Sequence, residues 1–209
     1  MARGAEDGYS LAELLVATAV TMTVTAGAGV LASGVQRVAF AMDADQAARM
    51  DARFTLEAIV RTVEQAGSYP YGVPAGVCGG VADAAPLVVD PLGDGRREAI
   101  RVRADVNPPN GRLGGTADNC DERGEDVLLA FDRRAGTVTR RDAASAGAPV
   151  AVSSPRVLGL RFSYHDADGR ETDREADVST VRVELTVRAT GARDLRPRVW
   201  RGVARLRER

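Results

Sequence analysis

Gly8-Tyr9-Ser10-Leu11-Ala12-Glu13-Leu14-Leu15-Val16-Ala17 opens a stretch that carries no further charge until Arg37. A short polar leader ends in glycine. A hydroxyl-bearing aromatic follows, and one carboxylate stands at the fifth position after the glycine. The 23 residues from Leu14 to Gln36 would make about 34 Å of helix, enough to cross a bilayer core. The span is mild, with Thr18, Thr21, Thr23 and Thr25 in it, and Gly27, Gly29 and Gly34. A lone Glu13 at its head is expensive in lipid, at least ~2.5 kcal/mol by insertion scales. Chains seldom carry such a group without a use for it.

Three kinds of segment have this length and hydropathy. A secretory signal peptide has a positive front, a shorter apolar core and a small-residue cleavage site after it. Here Arg3 is offset by Glu6 and Asp7, and the apolar run is long. An ordinary signal anchor fits the length but leaves Glu13 unexplained. Gly8 to Ala17 closely resembles the third, the type IV prepilin motif, with the glycine and the glutamate in register. The resemblance implies cleavage by a prepilin peptidase between Gly8 and Tyr9, on the cytoplasmic side, and N-methylation of Tyr9. It also implies that the span is kept. Two departures are visible: Tyr9 replaces the usual Phe, and the leader is less basic than usual, which weakens cytoplasmic retention.

Cleavage after Gly8 creates an ammonium on Tyr9 in a low-dielectric setting. Glu13, four residues on, can neutralise that ammonium or a neighbouring subunit's, and each charge then offsets much of the other's desolvation. The resemblance implies that the glutamate of an incoming subunit meets the N-terminus of the subunit already docked. A bland alternative is a Glu13 that snorkels to the headgroups.

The chain has 209 residues, 28 basic and 29 acidic, so no global field points to nucleic acid. Every basic residue is Arg, a mark of codon composition rather than function. Aromatics make up 4%, so the core must rely on Val, Leu and Ala. Cys78 and Cys120 are the two cysteines. The prepilin reading places them outside the cytoplasm, where disulfides persist. A bridge would close a Gly-, Pro- and Asp-rich loop and contribute about 4 kcal/mol in the chain-entropy model. One His (His165) and no Cys-x-x-Cys argue against zinc. No cofactor, catalytic triad, phosphate loop or paired-carboxylate site is expected, and the chain reads as a non-enzyme.

Helical spacing continues past the span. Val35, Val38, Met42, Leu56, Val60 and Val63 fall on one face, with charged residues on others. Gly67 and Pro70 mark the stop. This divides the chain into a leader over 1–8, a helix over 9–66 that is transmembrane in its first half, and a β-rich periplasmic or extracellular domain over 67–209. Strands are expected at Pro86–Asp90, Ala99–Ala104, Asp126–Asp132, Thr137–Arg141 and Val157–His165, with a hairpin at Arg133–Gly136. Val181, Val183, Leu185 and Val187 alternate with polar residues, the clearest half-buried strand. Val199, Val203 and Leu206 mark a last one. The fold class is α+β: a long N-terminal helix packed on an antiparallel sheet.

Asp166-Ala167-Asp168-Gly169 reads as a β-turn rather than calcium-loop debris, because the alternate acids and distal Glu of an EF-hand are missing. Asp118, Asp121, Glu122, Glu125 and Asp126 read as a solvated acidic loop rather than a calcium site. Eight Arg between Arg188 and Arg209 read as a charged edge strand that avoids aggregation, the alternative being a surface for an acidic subunit, anionic lipid or DNA. His165 reads as a surface residue, and Ser153 and Ser154 lack a nucleophile's context. Residues Ala47–Arg61, the strand at Val181–Arg188 and the ending Val203–Arg207 more loosely resemble PilW-type minor pilins. The resemblance implies a pilin-like fold and a structural subunit of a type IV pilus assembly machine. Its partners would be other major and minor pilins, the prepilin peptidase, an inner-membrane assembly platform and membrane lipid, with no nucleic acid. It would sit single-pass in the inner membrane before entering a pilus or pseudopilus. A type II secretion minor pseudopilin of the J kind shares the leader and helix. A membrane-anchored periplasmic binding or sensor module, or an anchored enzyme, is the reading from outside that class.

Overall fold

The computed structural model describes residues 10–72, 74, 85–106, 109–114, 122–142, 147–188 and 196–206. Its first element is a single α-helix, α1, Leu11–Glu64, 54 residues long, about 81 Å at the standard rise. Ser10 caps it from extended backbone (φ −74°, ψ 149°), its Oγ accepting the Glu13 N–H at 3.2 Å. Four threonines in an apolar run are tolerable because their hydroxyls donate back into the helix. Thr18 bonds the Leu15 carbonyl at 2.9 Å, and Thr21, Thr23 and Thr25 bond carbonyls four residues back at 2.7–2.8 Å. At the far end Gly67 adopts φ +75°, and its N–H donates to the Arg103 carbonyl at 3.0 Å, which turns the chain off the helix and onto the sheet.

Among the described residues eight strands follow, all antiparallel, in two sheets rather than the single sheet expected. β1 (Leu87–Val89), β2 (Ala99–Arg103), β3 (Asp126–Asp132), β4 (Thr137–Asp142) and β5 (Val150–Ala151) form a meander in sequence order. β6 (Val157–His165), β7 (Thr180–Val187) and β8 (Arg198–Arg205) form a second one. The two share one core, in which Phe162 and Tyr164 of β6 meet Ile100, Leu129 and Val138 of the larger sheet. Arg97 joins them: its carbonyl accepts the Phe162 N–H at 2.9 Å, while its guanidinium pairs with Glu171 and, at 2.7 Å, with Asp173.

Val181, Val183, Leu185 and Val187 are all buried, as their alternation predicts. β8 covers the last strand expected, and its phase places the valines outward. Val199 and Val203 are 51% and 52% exposed, while Trp200, Gly202 and Ala204 face inward. Register explains it, since Val183 pairs with Gly202 and Leu185 with Trp200, and paired residues share a face. That inner face receives α1.

The helix buries Ala48, Ala52, Thr55, Ile59 and Val63, at spacings of three and four. Leu56 and Val60 flank this stripe half-buried. Val35, Val38 and Met42 do not join it: they remain 70%, 53% and 66% exposed, on helix that projects beyond the domain. Gly202 decides how closely α1 sits. A Cβ there would lie 2.8 Å from Val60 Cγ2 and 3.1–3.2 Å from Leu56 Cδ1 and Cγ. Polar contacts fix the register: Asp45 with Arg198 at 2.9 Å, Asp51 accepting the Ser154 hydroxyl at 2.6 Å, and Thr55 donating to the Val152 carbonyl at 3.4 Å. Although burial works against it, the hydrogen bond from Arg49 and the charge of Arg198 hold the Asp45 carboxyl below its ordinary range.

Gly202→Ala should therefore lower stability by about 1–3 kcal/mol, because a valine in a helix is stiff at χ1 and cannot swing aside. Urea unfolding of the full chain in detergent should show an earlier midpoint at unchanged slope. An unchanged midpoint would mean that α1 backs away from β8 without cost.

Candidate functional site

Of the processing, assembly and disulfide residues singled out in the sequence, Glu13 alone is described. Gly8, Tyr9, Cys78 and Cys120 lie outside the described residues. Glu13 is exposed in the first turn of α1, at the third helical position after the Ser10 cap. Ser10-x-x-Glu13 is the spacing of a capping box, and a carboxylate in the first turn also suits the helix dipole. The serine caps the helix through the Glu13 N–H, and the position of the glutamate suits a local effect at the helix start that the sequence reading did not weigh.

The surface that α1 presents was also only half legible. Among residues 11–40 none is buried, and Leu14, Leu15, Val16, Val20, Val30 and Leu31 are each more than half exposed. Among the described residues one helix is long and apolar enough to cross a membrane, and its most apolar window is wholly unburied. Beyond the span the apolar surface does not end. Phe40, Met50 and Phe54 are 72%, 52% and 67% exposed, and Ala47 is exposed between them. At 100° per residue these four fall within about 80° of one another, turned away from the buried stripe. Their spacing was readable, but the charged residues on the flanks masked it.

The acidic residues around β3 are the opposite of a solvated loop. Glu125 and Asp126 are both 0% exposed, as is Asp105. Asp105 accepts the Asn110 and Gly111 N–H groups at 2.8 and 2.7 Å. Glu125 accepts those of Val106 and Gly114 at 3.1 and 2.9 Å. The two carboxylates thus supply backbone partners where no ladder does. Asp126 takes both Arg101 nitrogens at 2.6 and 2.5 Å, with Arg103 Nε 3.6 Å away. The hydrogen bond to Asp126 holds the Arg101 guanidinium above the ordinary arginine range, against its own desolvation. Asp118 and Asp121 lie outside the described residues, and among those described no three His, Cys, Asp or Glu group as metal ligands would.

The remaining candidates have structural duties. Asp166–Gly169 forms the expected turn, with Gly169 at φ +80° and its N–H on the Asp166 carbonyl at 3.0 Å. His165, read as a surface residue, is only 9% exposed, because β6 runs under this turn; its Nδ1 lies 3.2 Å from the Gly169 carbonyl. Ser153 Oγ accepts the Val138 N–H at 2.8 Å, and Ser154 is held by Asp51. Tyr164 is buried with no partner for its hydroxyl, and burial pushes its ionisation far above the usual tyrosine range. An open cleft of about 560 Å³ is lined by Arg123, Arg140, Asp142 and apolar residues in and beside β5, with Asp142 accepting the Gly124 N–H at 3.0 Å. No protein-family model matches the chain, and no curated protein or solved structure matches it either.

Asp126→Asn should cost about 3–5 kcal/mol, since Arg103, 2% exposed, then stays buried without its counter-charge. Chemical denaturation checks it, and a loss under 1 kcal/mol (roughly a surface pair's worth) would show the pair to be solvated. A pH test addresses the join between the sheets. The Arg97 hydrogen bond and charge lower the Glu171 carboxyl below its unfolded value, which is about 4.3. A depressed carboxylate contributes stability that is fully present above the unfolded value and lost as pH falls through the folded one. The denaturation midpoint should drop below about pH 4, and Arg97→Gln should flatten that drop. An equal acid slope in the variant would assign it to other groups.

Proposed function

We propose that this chain is a non-catalytic structural subunit, a minor pilin of a type IV pilus assembly machine with a pilin-like fold. The observation that carries the reading is the unpartnered apolar surface of α1. An anchor needs about 20 residues of apolar helix. This helix continues its apolar surface through Phe40, Ala47, Met50 and Phe54, past the span and on the side turned from its own domain. Such a stripe outside lipid favours packing against another helix at three- and four-residue spacing. The leader adds independent support: a peptidase-type Gly8-Tyr9 junction and a carboxylate at Glu13 to meet an N-terminal ammonium in a dry bundle. The span would hold the subunit in the inner membrane, and extraction by the machine would exchange lipid contacts for helix contacts. Major and minor pilins, the peptidase and the assembly platform are the partners this reading requires.

Two measurements test it. Mass spectrometry of protein from cells with active prepilin peptidase should show a chain starting at N-methylated Tyr9. An intact leader, or a cut beyond the apolar run, sinks the reading. Phe54→Asp should leave membrane insertion and domain stability nearly unchanged, because the side chain is mostly exposed and outside the buried stripe, while co-purification with partner pilins falls. Glu13→Gln should also insert normally and assemble poorly if charge pairing is its role. Normal assembly of both variants would reduce α1 to an anchor.

A further inference from the structure

β8 runs in the same direction as α1: Arg198 pairs with Asp45 near the start of the contact, and Gly202 lies against Leu56 and Val60 farther on. The end of the three-stranded sheet that carries Arg198 therefore points along the helix toward the span. β7 is antiparallel to β8, so Arg188, the residue after it, projects toward the span as well. Arg156, just before β6, lies beside it, its carbonyl accepting the Arg188 N–H at 2.9 Å. Arg49, Arg188 and Arg198 surround Asp45, with Trp200 as a wall. Asp45 pairs with Arg49 at 2.7 Å and with Arg198 at 2.9 Å, so one carboxylate serves two of these three guanidiniums. Neither Arg156 nor Arg188 has an ion-pair partner among the described residues. Among the described residues, the other acids of this end are Asp43, exposed on the helix, and Asp51, committed to Ser154.

We propose that this arginine-rich end of the domain docks on an anionic phospholipid surface. The inference rests on the span crossing the bilayer, and not on assembly into a filament. Asp45 is nine residues past Gln36, about 14 Å along the helix. Headgroups extend about 5–8 Å beyond the hydrocarbon core. The remaining gap is within the reach of arginine stems and about one Debye length at physiological salt. Charge complementarity selects the occupant: juxtamembrane arginines are drawn to anionic leaflets, and the helix itself delivers this end to that distance. Docking would fix the domain's tilt over the membrane before any partner arrives.

Trp200 is the chain's single tryptophan and stands at this end. The full chain is reconstituted in phosphatidylcholine vesicles with and without phosphatidylglycerol, each doped with a headgroup-nitroxide lipid that quenches tryptophan. The chain should float with both kinds of vesicle. Trp200 quenching should be stronger with phosphatidylglycerol, and the excess should disappear in 0.5 M salt, where the Debye length is roughly 4 Å. Arg49→Gln with Arg188→Gln should abolish the excess; Arg161→Gln with Arg182→Gln, an equal loss of charge on the outer sheet face, should keep it. Flotation with equal quenching in the two lipids overturns the docking and leaves the membrane reading intact, as does an equal loss in both double variants. Failure to float overturns both.

Discussion

Gly202 sets the distance between α1 and the second sheet, and most of the molecule's geometry follows from that distance. With no Cβ at this position, Leu56 and Val60 drop onto the backbone of β8, and the inner residues of β7 come within packing range of Ile59 and Val63. Ala48 and Ala52 extend the close approach toward the span. The helix is thus seated along its last five turns on one side only. It is also one continuous element, so the domain and the span are joined without a hinge. Whatever tilts the span tilts the domain, and whatever grips the outer face of the helix grips both.

The domain has few aromatics to fill its interior, at 4% of the chain, and long connections to order. It meets the second need with buried charge. Asp105 and Glu125 each hold two backbone N–H groups, and Asp126 neutralises Arg101 while standing beside Arg103. A carboxylate accepting backbone donors is stronger than a neutral pair and dictates geometry. Taken as isostere replacements such sites are weak sources of stability, but half-removal is severe. Their effect here is to define one conformation for segments that lack ladder partners. The orphaned Tyr164 hydroxyl shows the cost of filling the junction between the sheets with a large ring.

The helix and strands were legible because their periodicities are strong and local. Val181 to Val187 alternate without interruption, and Arg133–Gly136 between two apolar runs is a turn that needs nothing distant to form. The division into two sheets was not legible, because it depends on which edges pair, and the connection from β5 to β6 carries no signal for or against a ladder. β8 was legible as a strand, but its phase was not, because Val199, Val203 and Leu206 do not share one parity. The inward positions are Trp200, Gly202 and Ala204, the last two small where the helix approaches. Glu125 and Asp126 were read as solvated for the same kind of reason: composition reports polarity, while burial depends on backbone donors brought in by a loop.

The candidate site has a comparable division. Glu13 stands out in the sequence because a charge in an apolar run is costly, and cost is a local property. The Phe40–Phe54 stripe stands out only once the other face of the helix is known to be occupied. Before that, Met50 and Phe54 are two apolar residues among arginines and aspartates. Afterwards they are the residue of surface that the chain's own domain does not use. An exposed phenylalanine alone needs no explanation. Three large apolar side chains aligned on a helix, continuous with a membrane-length apolar segment and opposite a packed face, leave the helix with two working sides. One side orders the domain, and the other stays uncovered, which is the surface the proposed assembly would use.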